Sequence, residues 1–306
     1  MKAIRAHRFG GPEVLSVDEV EKPTPRKGQV LVRVFATSVN PVDWKLREGF
    51  FKDVPLPFIP GGDFSGTIAE LGEGVTGFAP GDEVYGCVPG STGAEAEYVS
   101  VPTWAIAPKP RSIDHVLAAS VPLAAMTAWQ AVIVNAKVAA SERVLVLGAS
   151  GGVGRFAVAF AKEAGASVLG TASKGNLELV RSFGVDRPID YESERVEDAA
   201  RGVDVCIDLV GGAFQARGIA SLKEGGRIVS TAQPPPSDVL GARNIRGAFF
   251  RMKPDADQLR EIAQRIDSGA LRISVARVLP LERASEAEEL NRRQEVTGKI
   301  VLRVAA

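Results

Sequence analysis

Between residues 144 and 154 the chain reads Val144-Leu-Val-Leu-Gly148-Ala149-Ser150-Gly151-Gly152-Val153-Gly154, an apolar, β-branched run that breaks into glycines. Residues 155–163 follow with helical spacing, so that Phe156, Phe160 and Ala164 fall on one face. A strand, a glycine turn and a helix in that order aim backbone N–H groups from a positive helix N-terminus, where a pyrophosphate can sit. Glycine lets the backbone approach the phosphates, and Gly154 lets the helix pack closely on the strand. A glycine turn also serves ordinary connections. Here, however, a second strand, Ser167-Val-Leu-Gly-Thr171, follows at the spacing of a βαβ unit. The turn therefore reads as a dinucleotide site cradled by Ala149, Ser150, Gly151, Gly152, Val153 and Gly154.

About twenty residues past such a turn, an NAD site carries an acid for the ribose 2′-hydroxyl. This chain reads Thr171-Ala172-Ser173-Lys174-Gly175 there. No carboxylate opposes a 2′-phosphate, while Lys174 offers charge and Ser173 a hydroxyl. NADPH is the better reading, with a solvated surface lysine as the bland alternative. The same gap disfavours S-adenosylmethionine, which also wants an acid on its ribose. A P-loop is excluded because no Gly-Lys-Ser/Thr closes the glycine run.

Lys plus Arg and Asp plus Glu both number 37 in 306 residues, so no basic field exists to hold nucleic acid. Two cysteines, Cys87 and Cys206, stand far apart, which fits a reducing cytoplasm. The first residues lack the apolar core of a signal peptide. Residues 116–134 carry no formal charge, yet their alanines, Ser120, Thr127, Gln130 and Pro122 read as a buried helix, not a membrane span.

The first third has short strand-like runs between Pro/Gly clusters. From about Pro122 strands and helices alternate, which argues for a parallel, doubly wound sheet. Residues 254–268 read as an amphipathic helix ended by Gly269, and residues 275–280 and 299–304 return to strands. A β-rich start, an α/β middle and a β tail imply that the tail closes on the first domain. The division falls as 1–121 with 270–306, and 122–269.

Taken together, the chain resembles the medium-chain dehydrogenase/reductase superfamily in its zinc-independent quinone oxidoreductase and enone reductase branch. The carrying motifs are Ser38-Val-Asn40-Pro-Val-Asp43-Trp44-Lys45, Ile59-Pro-Gly-Gly62-Asp-Phe-Ser-Gly66, Gly77-Phe-Ala-Pro-Gly-Asp-Glu-Val-Tyr85, Ala149-Ser-Gly-Gly-Val-Gly154 and Gly298-Lys299-Ile-Val-Leu302. The resemblance covers essentially the whole chain. It implies an α/β protein in which a Rossmann doubly wound parallel sheet is inserted in a GroES-like, β-rich catalytic domain, with the active site in the cleft between them. It also implies a homodimer.

The alcohol-dehydrogenase branch holds zinc partly through a Gly-His-Glu, where this chain has Gly61-Gly62-Asp63. The only histidines, His7 and His115, have no cysteine close in sequence. No metal is expected. Without zinc, hydrogen bonds must polarise the acceptor, which suits quinones and α,β-unsaturated ketones or aldehydes.

The resemblance places Lys45 beside cofactor and substrate, where it polarises the carbonyl or orients the nicotinamide ribose; a solvated helix lysine is the alternative. Asn40 belongs to the same segment, and Asp43 either pairs with Lys45 or caps a helical turn. By position, Thr127 reaches the nicotinamide or its phosphate. Tyr191 stacks on adenine or meets the 2′-phosphate. Leu209, Val210 and Gly211 pass close to the adenosine ribose, and Thr231 lies in the turn after the next strand. Phe249 and Phe250 wall the pocket, although paired phenylalanines are more often core. Lys299 lies near the nicotinamide end. The competing class is a dinucleotide-binding protein with little catalysis, redox-sensing or crystallin-like.

Overall fold

The computed structural model describes residues 1–51, 53–90 and 93–304. They form two units, Met1–Leu123 with Lys253–Ala306, and Ala124–Met252. The first unit opens with an antiparallel pair, β1 (Lys2–Ala6) and β2 (Leu15–Glu19). Then β3 (Gln29–Val39) runs eleven residues and is buried over most of its length. Asn40 leaves it in extended conformation and N-caps α1 (Pro41–Arg47), whose proline at the first position needs no N–H partner.

Beyond α1, β4 (Asp63–Leu71) and β6 (Tyr98–Pro102) both pair antiparallel with β3, while β5 (Glu83–Cys87) joins β4 to β7 (Ile106–Pro108). Val30, Val32, Val34, Phe64, Ile68 and Val84 fill the space they enclose. Two helices follow. α2 (His115–Ala119) is capped by Asp114, which accepts the Leu117 N–H at 2.8 Å. α3 (Pro122–Trp129) begins at its proline and passes into a π-helical turn, Gln130–Asn135. The uncharged stretch 116–134 is thus two short helices and a turn. No helix among the described residues is long and apolar enough to cross a membrane.

The second unit repeats a strand and a helix. β8 (Arg143–Leu147), α4 (Gly152–Glu163), β9 (Ser167–Ala172), α5 (Leu177–Ser182), β10 (Arg187–Asp190), α6 (Val196–Ala199) and β11 (Val203–Asp208) come first. α7 (Gly212–Ser221), β12 (Leu222–Ser230), α8 (Ser237–Gly241) and β13 (Arg246–Phe249) complete it. All pairs are parallel, in the order β10-β9-β8-β11-β12-β13. The central strands are apolar on both faces, as a sheet covered by helices requires. The order in which strands are added reverses between β8 and β11, and the gap outside their carboxyl ends is where such folds take ligands.

α9 (Ala256–Asp267) opens with Asp255, whose carboxylate accepts the N–H groups of Asp257 and Gln258. Its buried Leu259, Ile262, Ala263 and Ile266 form one stripe. The expected boundary at 269 does not fall after this helix; α9 belongs to the first unit. The Tyr85 hydroxyl donates to the Leu259 carbonyl at 2.6 Å, and Ser112 donates from N and Oγ to Asp267. The apolar stripe therefore covers the β-rich unit, which places the division at 252/253 and its first edge at 123/124.

β14 (Arg277–Pro280), α10 (Ala284–Arg292) and β15 (Ile300–Arg303) end the chain. β15 pairs antiparallel with β3, Ile300 opposite Val39, so the tail does close on the first unit.

Candidate active site

The glycine turn lies at the carboxyl end of β8. Gly148 has φ +81°, and its N–H donates to Thr171 Oγ1 at 2.9 Å, while the Ala149 N–H donates to the Thr171 carbonyl at 3.0 Å. Both bonds fasten the turn to the end of β9. A Cβ on Gly154 would stand 2.1 Å from the Gly148 carbonyl oxygen, so only glycine lets α4 start there. Gly151 caps α4 without a side-chain bond, and no carboxylate stands in the first turn. The first N–H groups of a helix have no internal acceptor and carry its positive end. An anionic dinucleotide fits this cradle.

Leu209, Val210, Gly211 and Thr231, from the turns after β11 and β12, lie next to it. A Cβ on Gly148 would meet Val210 at 3.0 Å and Leu209 at 3.9 Å, so the turn after β11 lies directly against the glycine turn. Val210 is exposed, and Gly211 takes φ +80°. The Thr231 N–H donates to the Asp208 carbonyl at 3.1 Å, which brings the turn after β12 alongside. At the end of β9, Ser173 Oγ accepts from Asn176 Nδ2 at 2.9 Å and Lys174 stands in solvent.

Tyr191, at the end of β10, lies edge-on to Phe214, ring centroids 5.2 Å apart, and packs on the core. Phe250 is half-buried, with its N–H on the Ser230 carbonyl at 3.3 Å, whereas Phe249 is exposed. Thr127 is buried.

The expected catalytic residues all belong to the first unit, and one of them, Asn40, bonds to a carboxylate that the sequence reading did not single out. Asp63, wholly buried at the start of β4, accepts from Ser38 Oγ at 2.6 Å, Asn40 Nδ2 at 2.8 Å, Lys299 Nζ at 3.3 Å and the Leu123 N–H at 2.6 Å. Lys299 also donates to Asn40 Oδ1 at 2.6 Å and the Val39 carbonyl at 3.2 Å. All three ammonium protons are used inside. Lys299 therefore holds the Asn40 segment against Asp63, with its donors turned to these internal acceptors.

Asp43 does not pair with Lys45. It is buried and accepts the Asn40 N–H at 2.7 Å, the capping alternative. Burial, reinforced by the charge of Glu288, pushes its pKa up to about 8. Nearby, Arg47 and Glu288 are both fully buried and joined at 2.5 Å, and burial raises Glu288 to about 7 against the pull of that guanidinium. This pair locks α1 to α10. The half-buried Lys45 carries its ammonium 5.4 Å from the Trp44 ring centre, and Trp44 meets the exposed Phe50 edge-on at 6.0 Å. The Lys45 ammonium is thus held over the Trp44 ring as a cation–π contact.

Asp63 could have been found from its place after Gly61-Gly62. A Cβ on Gly62 would come within 3.1 Å of Leu123 and 3.9 Å of Cys87 Sγ, so the segment is closely packed. The buried Arg47–Glu288 pair had no local signal, because its partners are 241 positions apart.

Residues 26–111 match the model of the alcohol dehydrogenase GroES-like domain, and residues 183–302 that of the zinc-binding dehydrogenase domain. Over 316 aligned residues the chain is 36% identical to the chloroplastic NADPH-dependent alkenal/one oxidoreductase of Arabidopsis thaliana, covering 99% of this chain and 79% of that one. The rat quinone oxidoreductase is 33% identical over 321 residues, covering 99% and 97%. Among solved structures, the quinone oxidoreductase from Coxiella burnetii superposes with a TM-score of 0.93 at 35% identity over 99% of both chains. With its parallel nucleotide-type sheet, its GroES-like unit and these full-length similarities, the chain belongs to the medium-chain dehydrogenase/reductase superfamily and is an oxidoreductase of the quinone oxidoreductase and enone reductase type.

Proposed function

We propose that this chain uses NADPH to reduce quinones or α,β-unsaturated ketones and aldehydes without zinc. The observation that carries the nucleotide is the acid-free end of β9, with Lys174 in solvent beside Ser173, next to an uncapped helix N-terminus. NADPH, when bound, supplies a hydride. The chain's residues bind it, orient the acceptor and stabilise the charge that develops on the acceptor oxygen.

Zinc independence rests on the donor set. Asp63, at the place of the dehydrogenase Gly-His-Glu, has its carboxylate committed to Ser38, Asn40, Lys299 and the Leu123 N–H. His115 is taken by Ser65 at 2.8 Å and Glu83 at 3.1 Å, and His7 by Asp18 at 2.7 Å. Among the described residues no group of three or more His, Cys, Asp or Glu is placed to hold a metal. Without a Lewis acid the acceptor must delocalise incoming charge itself, as quinones and enones do. In this reading the Lys45 ammonium strengthens its interaction with the acceptor oxygen as the enolate forms, and solvent supplies the one proton that, with the hydride, completes the reduction.

The partners are a small-molecule acceptor and a second copy of the chain. β13 is the edge of the six-stranded sheet and carries the exposed Phe249, which supports a homodimer. The deciding experiment follows NADPH and NADH oxidation with an enone, a quinone and a saturated ketone. NADPH with the first two is expected to be fastest. Equal rates with the saturated ketone refute the acceptor class, and equal binding of both nucleotides refutes the cofactor.

A further inference from the structure

The turns after β11 and β12 are held together by one hydrogen-bond chain that begins in the core and ends at the surface. Asp208, fully buried, accepts the N–H groups of Val210 at 3.1 Å and Gly211 at 2.8 Å on Oδ1. Its Oδ2 accepts from Gln215 Nε2 at 3.0 Å and Ser230 Oγ at 2.8 Å. Gln215 Nε2 also reaches the Gln233 carbonyl at 2.9 Å. The Gln233 side chain then donates from Nε2 to Gln215 Oε1 at 3.1 Å and accepts the Gly212 N–H on Oε1 at 3.1 Å. Gln215 is buried and Gln233 exposed.

Such a tie has a physical reason. Gly211 and Gly212 take φ of +80° and +56°, a conformation that costs much chain entropy and that no side chain of their own can secure. Gly211 supplies no side-chain cap to α7, and Gln233, some twenty residues away, accepts the first N–H of the helix, one of those with no internal partner. The turn held in this way includes Val210, which stands against Gly148 of the glycine turn. Its position sets one wall of the nucleotide cradle.

We propose that Gln233, acting through Gln215 and Asp208, is a positioning residue that presets the gap between residues 148–154 and residues 209–212 for the dinucleotide. This rests on the NADPH reading above. Ordering the glycine turn before binding removes an entropic cost from association, so the effect falls on nucleotide affinity. Residue 233 acts on the width of the cradle and not on hydride transfer.

The test compares wild type with Gln233→Ala, in which an exposed side chain is shortened and the fold should persist. Losing one capping bond and the order it imposes is expected to weaken NADPH binding, titrated by its fluorescence, about tenfold. KM for NADPH should rise by a similar factor while kcat at saturation stays within about twofold. In the nucleotide-free protein the Gly212 amide should exchange with solvent about tenfold faster, with the thermal midpoint little changed. Adding Gln215→Ala to Gln233→Ala should cost much less affinity than it costs in wild type, because both act as one unit. A wild type that binds NADPH and a Gln233→Ala variant that binds it equally overturn the proposal. So does a fall in kcat with KM unmoved. A wild type that binds no nucleotide overturns the NADPH reading itself.

Discussion

Lys174 and Lys45 have no ion-pair partner among the described residues, and that freedom is what makes each testable. A charge-assisted contact to a 2′-phosphate is worth about 1.5–3 kcal/mol, so Lys174→Ala should weaken NADPH binding roughly ten- to hundredfold and leave NADH unchanged. Titration of both reduced nucleotides checks it. Lys45→Met keeps the stem and removes the charge; turnover with an enone should fall about 10²–10³-fold, and an unchanged rate would make Lys45 a solvated side chain. Lys299 shows the limit of reading single residues. Its motif marked it as a site lysine, and its three protons go to Val39, Asn40 and Asp63, partners brought in by β15 pairing with β3.

At the scale of elements, α4 and α1 answer different questions. The Gly154 contact with the Gly148 carbonyl leaves no room for a methyl group, so Gly154→Ala must displace α4 from the glycine turn. A stability loss of about 1–3 kcal/mol is expected in urea melts, together with loss of NADPH binding. For α1 the issue is protons. Asp43 and Glu288 have folded pKa values raised to about 8 and about 7 against ordinary values of 3.8 and 4.5. The folded state therefore holds more protons than the unfolded chain, and stability falls as pH rises from about 4 to about 8. Asp43→Asn keeps an acceptor for the Asn40 N–H and removes one titration, so its urea midpoint should decline less between pH 5 and pH 8 than that of wild type. A decline identical to wild type would show that Asp43 ionises at its ordinary pKa. The helix start at Pro122 and the helix end at Gly269 were legible, because proline and glycine mark them. The pairing across α1 and α10 was not.

For the whole molecule, prolonged chelation should leave NADPH-dependent reduction unchanged, and elemental analysis should find no stoichiometric zinc. Activity lost to chelation and restored by zinc would overturn zinc independence. Light scattering should give the mass of two chains. α9 illustrates why the division of the chain was only partly readable: its amphipathic pattern shows that one face is covered, and α9 has no local signal that Tyr85 and Ser112 do the covering.

What the sequence determined by itself is local and periodic. The strand, glycine turn and helix of residues 144–163, the alternation of the middle segment and the lack of an acid near residue 172 are contained in short windows, where backbone sterics and side-chain period act. The tertiary structure decided what depends on partners far along the chain. It turned Lys299 inward, made Asp63 the centre of a buried hydrogen-bond cluster, assigned α9 to the first unit and joined Gln233 to Gly212. In each case a polar group or an apolar face had to be satisfied, and its nearest suitable partner existed only after the chain had folded.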